Sequence, residues 1–210
     1  MILTPISPQA LPQILDTYDA GLAAHPMAQA VFRRIAKTRH QCPDLKADLI
    51  VGCEKAIALA VKLGIPIIDE EPVMAFSWDG HAIRARSETS VIFHEIAHWQ
   101  VAPVTRRHIC DFGLGAGPET GRIAAANAAV CVDEAVQQHE ESLASLLGIL
   151  WEVEYDEPAI LAFAEQNWLE LYDRLGTHMY FVKSVDALGS RRLINAEGRP
   201  CVVPFFSSSP

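Results

Sequence analysis

Apolar residues recur at helical spacing through the first third of the chain. Three stretches show this spacing, residues 8–24, 26–35 and 47–63. Apolar side chains three or four positions apart lie on one face of a helix, where they can pack against a core. We therefore predict three helices, followed by a break at residues 64–66, where a glycine and a proline interrupt the pattern.

The middle of the chain has shorter apolar runs that are typical of strands. Residues 67–68 and 73–76 are apolar, and residues 82–86 alternate apolar with basic side chains, as a half-exposed strand does. Asp79 and Gly80 lie between the last two runs, and an Asp-Gly pair favours a tight hairpin turn. We therefore predict a small β-hairpin or sheet in this region.

Helical spacing returns in the second half of the chain, at residues 124–151 and 158–175. A second hairpin is predicted within residues 191–206. No internal repeat or linker suggests a domain boundary. The pattern predicts an α+β fold that is mainly helical, formed by one domain over residues 1–210.

Composition and charge narrow the classes of protein to consider. Half of the residues are hydrophobic and 20% are charged, which is typical of a globular chain. The formal net charge of −9 argues against a general nucleic-acid binder. Five cysteines without a Cys-x-x-Cys pair suggest reduced thiols, and no apolar run approaches the ~20 residues of a membrane span. We expect a cytoplasmic protein with neither nucleic acid nor membrane as a partner.

A His-Glu-x-x-His motif occupies residues 94–98, within an apolar stretch that predicts a helix ending before Pro103. His94 and His98 are four residues apart, so both imidazoles can bind one metal ion from the same face. Glu95 can reach a metal-bound water without binding the ion itself. Imidazole suits zinc, iron, nickel and copper alike, so the motif predicts one divalent metal ion without its identity. The fold that these features predict is zincin-like, with the metal-binding helix directly after the hairpin.

A catalytic metal usually has a third protein ligand, and the next predicted helix offers several acids. Its predicted buried stripe consists of apolar residues that lie within roughly 40° of one another on the helical wheel: Val132, Val136, Leu143 and Leu150. Asp133 and Glu140 lie at the edge of this stripe, whereas Glu134 and Glu141 lie opposite and are predicted to be solvated. His139 also falls on the buried side. Helical phase therefore favours Asp133 or Glu140, unless a break near Asp133 shifts the phase.

The chain also resembles a known family, the elongation factor P hydroxylases, over about residues 91–156. The resemblance depends on the His-Glu-x-x-His-Trp segment at 94–99, the arginine pair at 106–107 and the Asp-Phe-Gly segment at 111–113. Further on, Val132 and Asp133 with Gln137 are similar to a Val-Glu and Gln of the family, and residues 148–156 are similar to a later segment.

The resemblance implies a non-haem iron enzyme with two histidines and a carboxylate as ligands. Carried over by position, these ligands are His94, His98 and Asp133, and the substrate is a side chain on a translation factor. Two departures affect this expectation. Asp133 is one methylene shorter than the glutamate of the family, and residues 114–117 lack the aromatic side chains that follow Asp-Phe-Gly there. The resemblance supports a related metalloenzyme more firmly than the same substrate.

Three functions follow from these observations. The first is an iron hydroxylase acting on a protein or amino-acid-like side chain, in which Glu95 orients a bound water or an imidazole. The second is a zinc hydrolase or peptidase, in which Glu95 is the general base and residues 82–86 offer an edge strand to an extended substrate. The third is a non-catalytic binding module stabilised by a closed four-ligand metal site, to which His108 or His139 contributes.

The predicted domain contains a helical N-terminal part at residues 1–63 and a metal-site core at residues 91–156. Its partner is expected to be a protein substrate such as a translation factor. Arg106 and Arg107 lie close to the motif in sequence, and a basic pair there can meet an acidic surface of that partner.

Overall fold

The structure, a computed structural model, describes residues 6–7, 9–40, 47–71, 78–117 and 120–202. It is mainly helical. The α-helices are α1 (Leu11–Gly21), α2 (Pro26–Lys37), α3 (Ala47–Lys62), α4 (Thr89–Val101), α5 (Ile123–Ala128), α6 (Glu134–Glu154), α7 (Ala159–Glu165) and α8 (Leu175–Ser190). Short 3-10 turns follow α2 and α4.

The N-terminal helices confirm the predicted pattern, but the second half of the chain differs from it. The helix predicted over 124–151 is two helices, because Asp133 accepts a hydrogen bond from the backbone N of Val136 (2.8 Å) and so starts a new helix. The helix predicted over 158–175 ends early, at Glu165. Asn167 and Leu171 then take positive φ angles of 66° and 53°, which no helix continues through. Helix α8 was not predicted.

The two strands, β1 (Ile67–Ile68) and β2 (Ile83–Arg84), pair in parallel, with Ile67 opposite Ile83. Trp78 forms an antiparallel bridge with Ile83, so the chain does reverse direction at Asp79 and Gly80 as predicted. The carboxylate of Asp79 accepts hydrogen bonds from two backbone N–H groups of this turn. The predicted strand at 73–76 lies outside the described residues.

An antiparallel bridge between Ile194 and Pro200 confirms the second hairpin as far as residue 202, and residues 203–206 lie outside the described residues. Among the described helices, none combines the length and the apolar character that a membrane span requires.

Helix α4 lies at the centre of the fold. Nearly all of its residues after the first turn are buried, and it packs most extensively against α6. The buried cluster that surrounds it includes side chains from α1, α2, α3, α6, α7 and α8. Because both helices are held by this core, polar side chains at their shared face have fixed positions. That shared face carries the site described next.

Candidate metal centre

His94 and His98 lie one turn apart on α4 and direct their imidazoles to the same point. Their Nε2 atoms are 3.0 Å apart, and the rings meet edge to face. The His98 side chain is only 7% exposed, whereas His94 is 25% exposed and borders a cleft. The structure therefore brings the two predicted imidazole ligands together.

The carboxylate beside these imidazoles belongs to Glu141 of α6. Its Oε2 atom is 3.3 Å from Nε2 of His98 and 3.9 Å from Nε2 of His94. His94, His98 and Glu141 form the group of possible metal ligands found among the described residues. The site thus combines two histidines from one helix with one glutamate from the neighbouring helix.

Two of the three distances within this group match those between ligands of a single small cation. Ligand atoms that each lie ~2.1 Å from one ion are about 3.0 Å apart at right angles and about 3.4 Å apart in a tetrahedron. The observed separations of 3.0 and 3.3 Å fall close to these values, whereas the 3.9 Å between Glu141 and His94 is longer than the tetrahedral value. Within the described residues, Nδ1 of His94 is buried and has no hydrogen-bond partner, so Nε2 carries its main polar interaction. Two nitrogens and one carboxylate oxygen suit iron, zinc and similar transition metals.

Asp133, the favoured third ligand, lies outside this group. It is the N-cap residue of α6, eight residues before Glu141 and therefore about 12 Å away along the helix axis. Glu140 is not available either, because it pairs with Arg106. Glu134 is exposed and accepts a hydrogen bond from Gln138. The structure thus corrects the assignment: the acid beside the imidazoles is Glu141, which was predicted to be solvated.

The helical-wheel argument failed because the first turns of α6 border the cleft and do not pack against the core. Val136, which helped to define the predicted stripe, is 38% exposed, and His139 is exposed as well. Gly148 was a better sequence signal for the face of α6 that packs against α4. It comes seven residues after Glu141 and hence lies on the same face of the helix. An added Cβ at Gly148 would lie only 3.1 Å from Cα of His94. The small residue marks the face of α6 that approaches α4.

The protonation states of His94 and Glu141 favour metal binding, whereas a proton on His98 has to leave when a metal binds. Burial and the neighbouring His98 lower the pKa of His94 to about 3, so its imidazole is neutral at neutral pH. Burial acts to lower the pKa of His98, but Glu141 raises it above its ordinary value. Burial opposes ionisation of Glu141, and the imidazole of His98 nevertheless holds its pKa at about 2. A neutral imidazole and an ionised carboxylate are the forms that bind metals.

A strained segment adjoins the group. Asp111 and Phe112 have φ angles of 43° and 54°, a left-handed conformation that costs non-glycine residues about 1–3 kcal/mol each. The Phe112 ring stacks on the imidazole of His98, with centroids 5.5 Å apart, and on Trp78 at 5.1 Å. Burial raises the pKa of Asp111 to about 6, although its carboxylate accepts a hydrogen bond from Thr120. Strain of this kind is concentrated at functional sites.

The group opens into a cleft of about 1120 Å³ between α4, α6 and the residues that follow α7. Its described lining contains no lysine or arginine. The carboxylates that line it are Glu95, Asp111 and Glu141 near the imidazoles, and Glu88, Glu134, Glu165 and Glu170 farther out. Glu95, the predicted catalytic residue, is 8% exposed and contributes to the negative potential at His98. The cleft therefore favours positively charged ligands.

The remaining predicted site residues do not join the group of His94, His98 and Glu141. The side chain of Arg106 is 11% exposed and pairs with Glu140, so it does not present a basic surface to a partner. The guanidinium of Arg107 lies over the Trp99 ring, 3.9 Å from its centroid. His108 and His139 are exposed, and neither joins the three-ligand group of the described residues.

Comparison with known proteins finds no match: no family model, no curated protein and no solved structure is significantly similar to this chain. The resemblance to the elongation factor P hydroxylases therefore stays a prediction based on the motifs.

Proposed function

We propose that this protein is a metal-dependent hydroxylase with one non-haem iron ion held by His94, His98 and Glu141. The observation that carries the proposal is the group of two histidines and one carboxylate on the wall of an open cleft. Such a set occupies one face of an ion and leaves the other positions free, as in non-haem iron oxygenases. When bound, Fe(II) supplies the means of activating dioxygen there.

The residues of the chain would prepare this site in distinct ways. His94 and His98 supply imidazole nitrogens, and Glu141 supplies the negative charge that partly neutralises the cation. Glu95 orients water or an imidazole beside the ion. The acidic walls attract a positively charged substrate, such as a lysine derivative on a protein. Hydroxylation inserts one oxygen atom of dioxygen into a C–H bond and reduces the other to water, so a two-electron reductant has to be supplied from outside.

A zinc hydrolase is the second candidate, since Glu95 lies in the cleft next to both imidazoles. The structure of residues 82–86, which were predicted to be an edge strand, argues against a peptidase. Ile83 pairs with Ile67 on one side and with Trp78 on the other, and no residue of 82–86 lines the described cleft. Residues 82–86 therefore offer an extended peptide no free strand edge beside the group.

The third candidate, a binding module with a closed metal site, has less support. It needs a fourth ligand, and the described residues offer three. The large cleft next to the group also leaves room for a substrate.

Elemental analysis tests the metal directly. We expect one equivalent of iron in protein purified anaerobically without a nickel column, and none in the His94→Ala variant, because one of three ligands is lost. An oxygen-dependent mass gain on candidate protein substrates would then support hydroxylation. One equivalent of zinc would favour the hydrolase, and absence of any metal would contradict both.

The Glu95→Gln variant separates the two enzyme candidates. Glutamine keeps the size of the side chain but cannot take a proton, and removal of a general base lowers rates by about 10²–10⁴-fold. A hydroxylase should keep its metal and most of its activity, since Glu95 only orients a neighbouring group. Loss of all activity with the metal retained, measured by turnover and elemental analysis together, would favour the hydrolase.

A further inference from the structure

Arg106 connects three segments that surround the metal centre. It lies in the 3-10 turn Val104–Arg106, directly after α4. Its Nη2 atom donates to both carboxylate oxygens of Glu140 on α6, at 2.6 and 2.5 Å, and its Nη1 atom donates to the backbone O of Phe112 at 3.0 Å. Both side chains of the ion pair are nearly buried, 11% and 9% exposed, so water screens the pair weakly.

Each partner of Arg106 is next to a member of the metal group. Glu140 precedes Glu141 in α6. The ion pair between Arg106 and Glu140 therefore restrains the rotation of α6 about its axis at the turn that carries Glu141. Phe112 stacks on His98, so holding its carbonyl restrains the wall against which that imidazole packs. One side chain thus fixes both α6 and the 110–113 segment relative to α4.

The 110–113 segment needs such a restraint. Asp111 and Phe112 are consecutive non-glycine residues in the left-handed region, a conformation that persists only where surrounding contacts determine it. The hydrogen bond from Arg106 to the Phe112 carbonyl is one of those contacts. Without it, we expect the segment to relax and the Phe112 ring to leave His98.

We infer that Arg106 is a positioning residue of the metal centre, which sets the placement of Glu141 and His98 through Glu140 and Phe112. The inference rests on the proposed metal site. Arginine is required because its planar guanidinium can serve a carboxylate and a carbonyl at once. Lysine keeps the positive charge but presents a single nitrogen, so it cannot hold both partners in the same geometry.

The chain offers a matched control, an arginine in α2 that pairs with another carboxylate of α6. Arg34 pairs with Glu154, near the far end of α6, and donates to the backbone O of Gly198 at 2.8 Å. It therefore also joins a carboxylate of α6 to a carbonyl of another segment, and it is similarly buried, at 18% exposed. Arg34→Lys makes the same chemical change more than three turns away from Glu141.

The experiment titrates Co(II) alone into the wild type, Arg106→Lys and Arg34→Lys, and records the visible absorption spectrum of each Co(II) form. We expect Arg106→Lys to lower the Co(II) affinity about 10–100-fold and to change the spectrum, as loss of a residue that orients ligands does. Arg34→Lys should leave both unchanged, while urea unfolding of the metal-free proteins reports any general loss of stability.

The outcomes are distinguishable. Wild-type affinity and spectrum in Arg106→Lys, or the same change in both variants, would overturn the positioning role and leave the metal site in place. A wild type that binds no Co(II) would overturn the metal site and the positioning role together. If Arg106→Lys does not fold, Glu140→Gln serves instead, because it weakens the same ion pair while keeping the shape of the side chain, and the same criteria apply.

Discussion

The Glu141→Ala variant is expected to bind a divalent metal ion roughly 10²–10³-fold more weakly than the wild type. Structural zinc sites bind with ~10–16 kcal/mol, so one ligand accounts for about 3–4 kcal/mol, and each 1.4 kcal/mol is a tenfold change in affinity. Glu141 is the carboxylate of the group of possible metal ligands, and its oxygen lies 3.3 Å from Nε2 of His98. Competitive titration of zinc or cobalt against a chelator measures the change.

Asp133→Ala is the matched control, since it removes an acid from the start of the same helix. Asp133 caps α6, so its loss should cost about 1 kcal/mol of the free energy of unfolding and leave metal affinity unchanged. The opposite result, weak binding in Asp133→Ala and normal binding in Glu141→Ala, would contradict the structure and return the third ligand to the position that the family resemblance implies.

The second large effect concerns Glu152, whose carboxyl is expected to make the protein less stable as pH rises from 5 to 8. Burial, with the nearby charges of Glu157 and Glu165, raises its pKa from 4.5 to about 8, and its Oε1 atom has no hydrogen-bond partner among the described residues. In this range the folded carboxyl keeps a proton that the unfolded chain has lost. Unfolding therefore releases a proton, and stability falls as pH rises until it levels off above the pKa of the folded state.

The Glu152→Gln variant removes this dependence. At 1.36 kcal/mol per pH unit, the wild type should lose roughly 3 kcal/mol relative to the variant between pH 5 and pH 7. Urea unfolding at several pH values measures the difference. Asp186→Asn makes the matching change from a carboxyl to an amide at an exposed position on α8 and should follow the wild type. Parallel curves for the wild type and Glu152→Gln would show that Glu152 is ionised in the folded protein.

The part of the site that the sequence predicted is local. His94, Glu95 and His98 belong to one helix, whose periodicity alone places the two imidazoles on one face. Their apolar neighbours indicated a buried helix, and the structure places α4 at the centre of the core. A single sequence is enough to predict such features, because they depend only on residues within a few positions of one another.

The part that was missed depends on tertiary contacts. Glu141 becomes a candidate ligand only because α6 packs against α4. The helical wheel could not show which face of α6 packs there, because the first turns of α6 border a cleft and not the core. Helix α8 was missed for a related reason. Its buried face includes His178 and Ser184, so its apolar stripe is interrupted by polar residues that the fold accommodates. The ring Nε2 of His178, for example, forms a hydrogen bond with the backbone O of Tyr172, 2.7 Å away.

The close approach of α4 and α6 at Gly148 has a consequence for the size of the ion that the proposed metal centre would hold. A methyl group there would lie 3.1 to 3.3 Å from the backbone of His94 and Phe93, so α4 and α6 would have to separate by a few tenths of an ångström. The same few tenths distinguish the ~2.0–2.2 Å bonds of zinc-sized cations from the ~2.3–2.6 Å bonds of calcium. In the proposed metal centre, the absence of a side chain at position 148 is therefore expected to favour a zinc-sized ion over a larger one such as calcium.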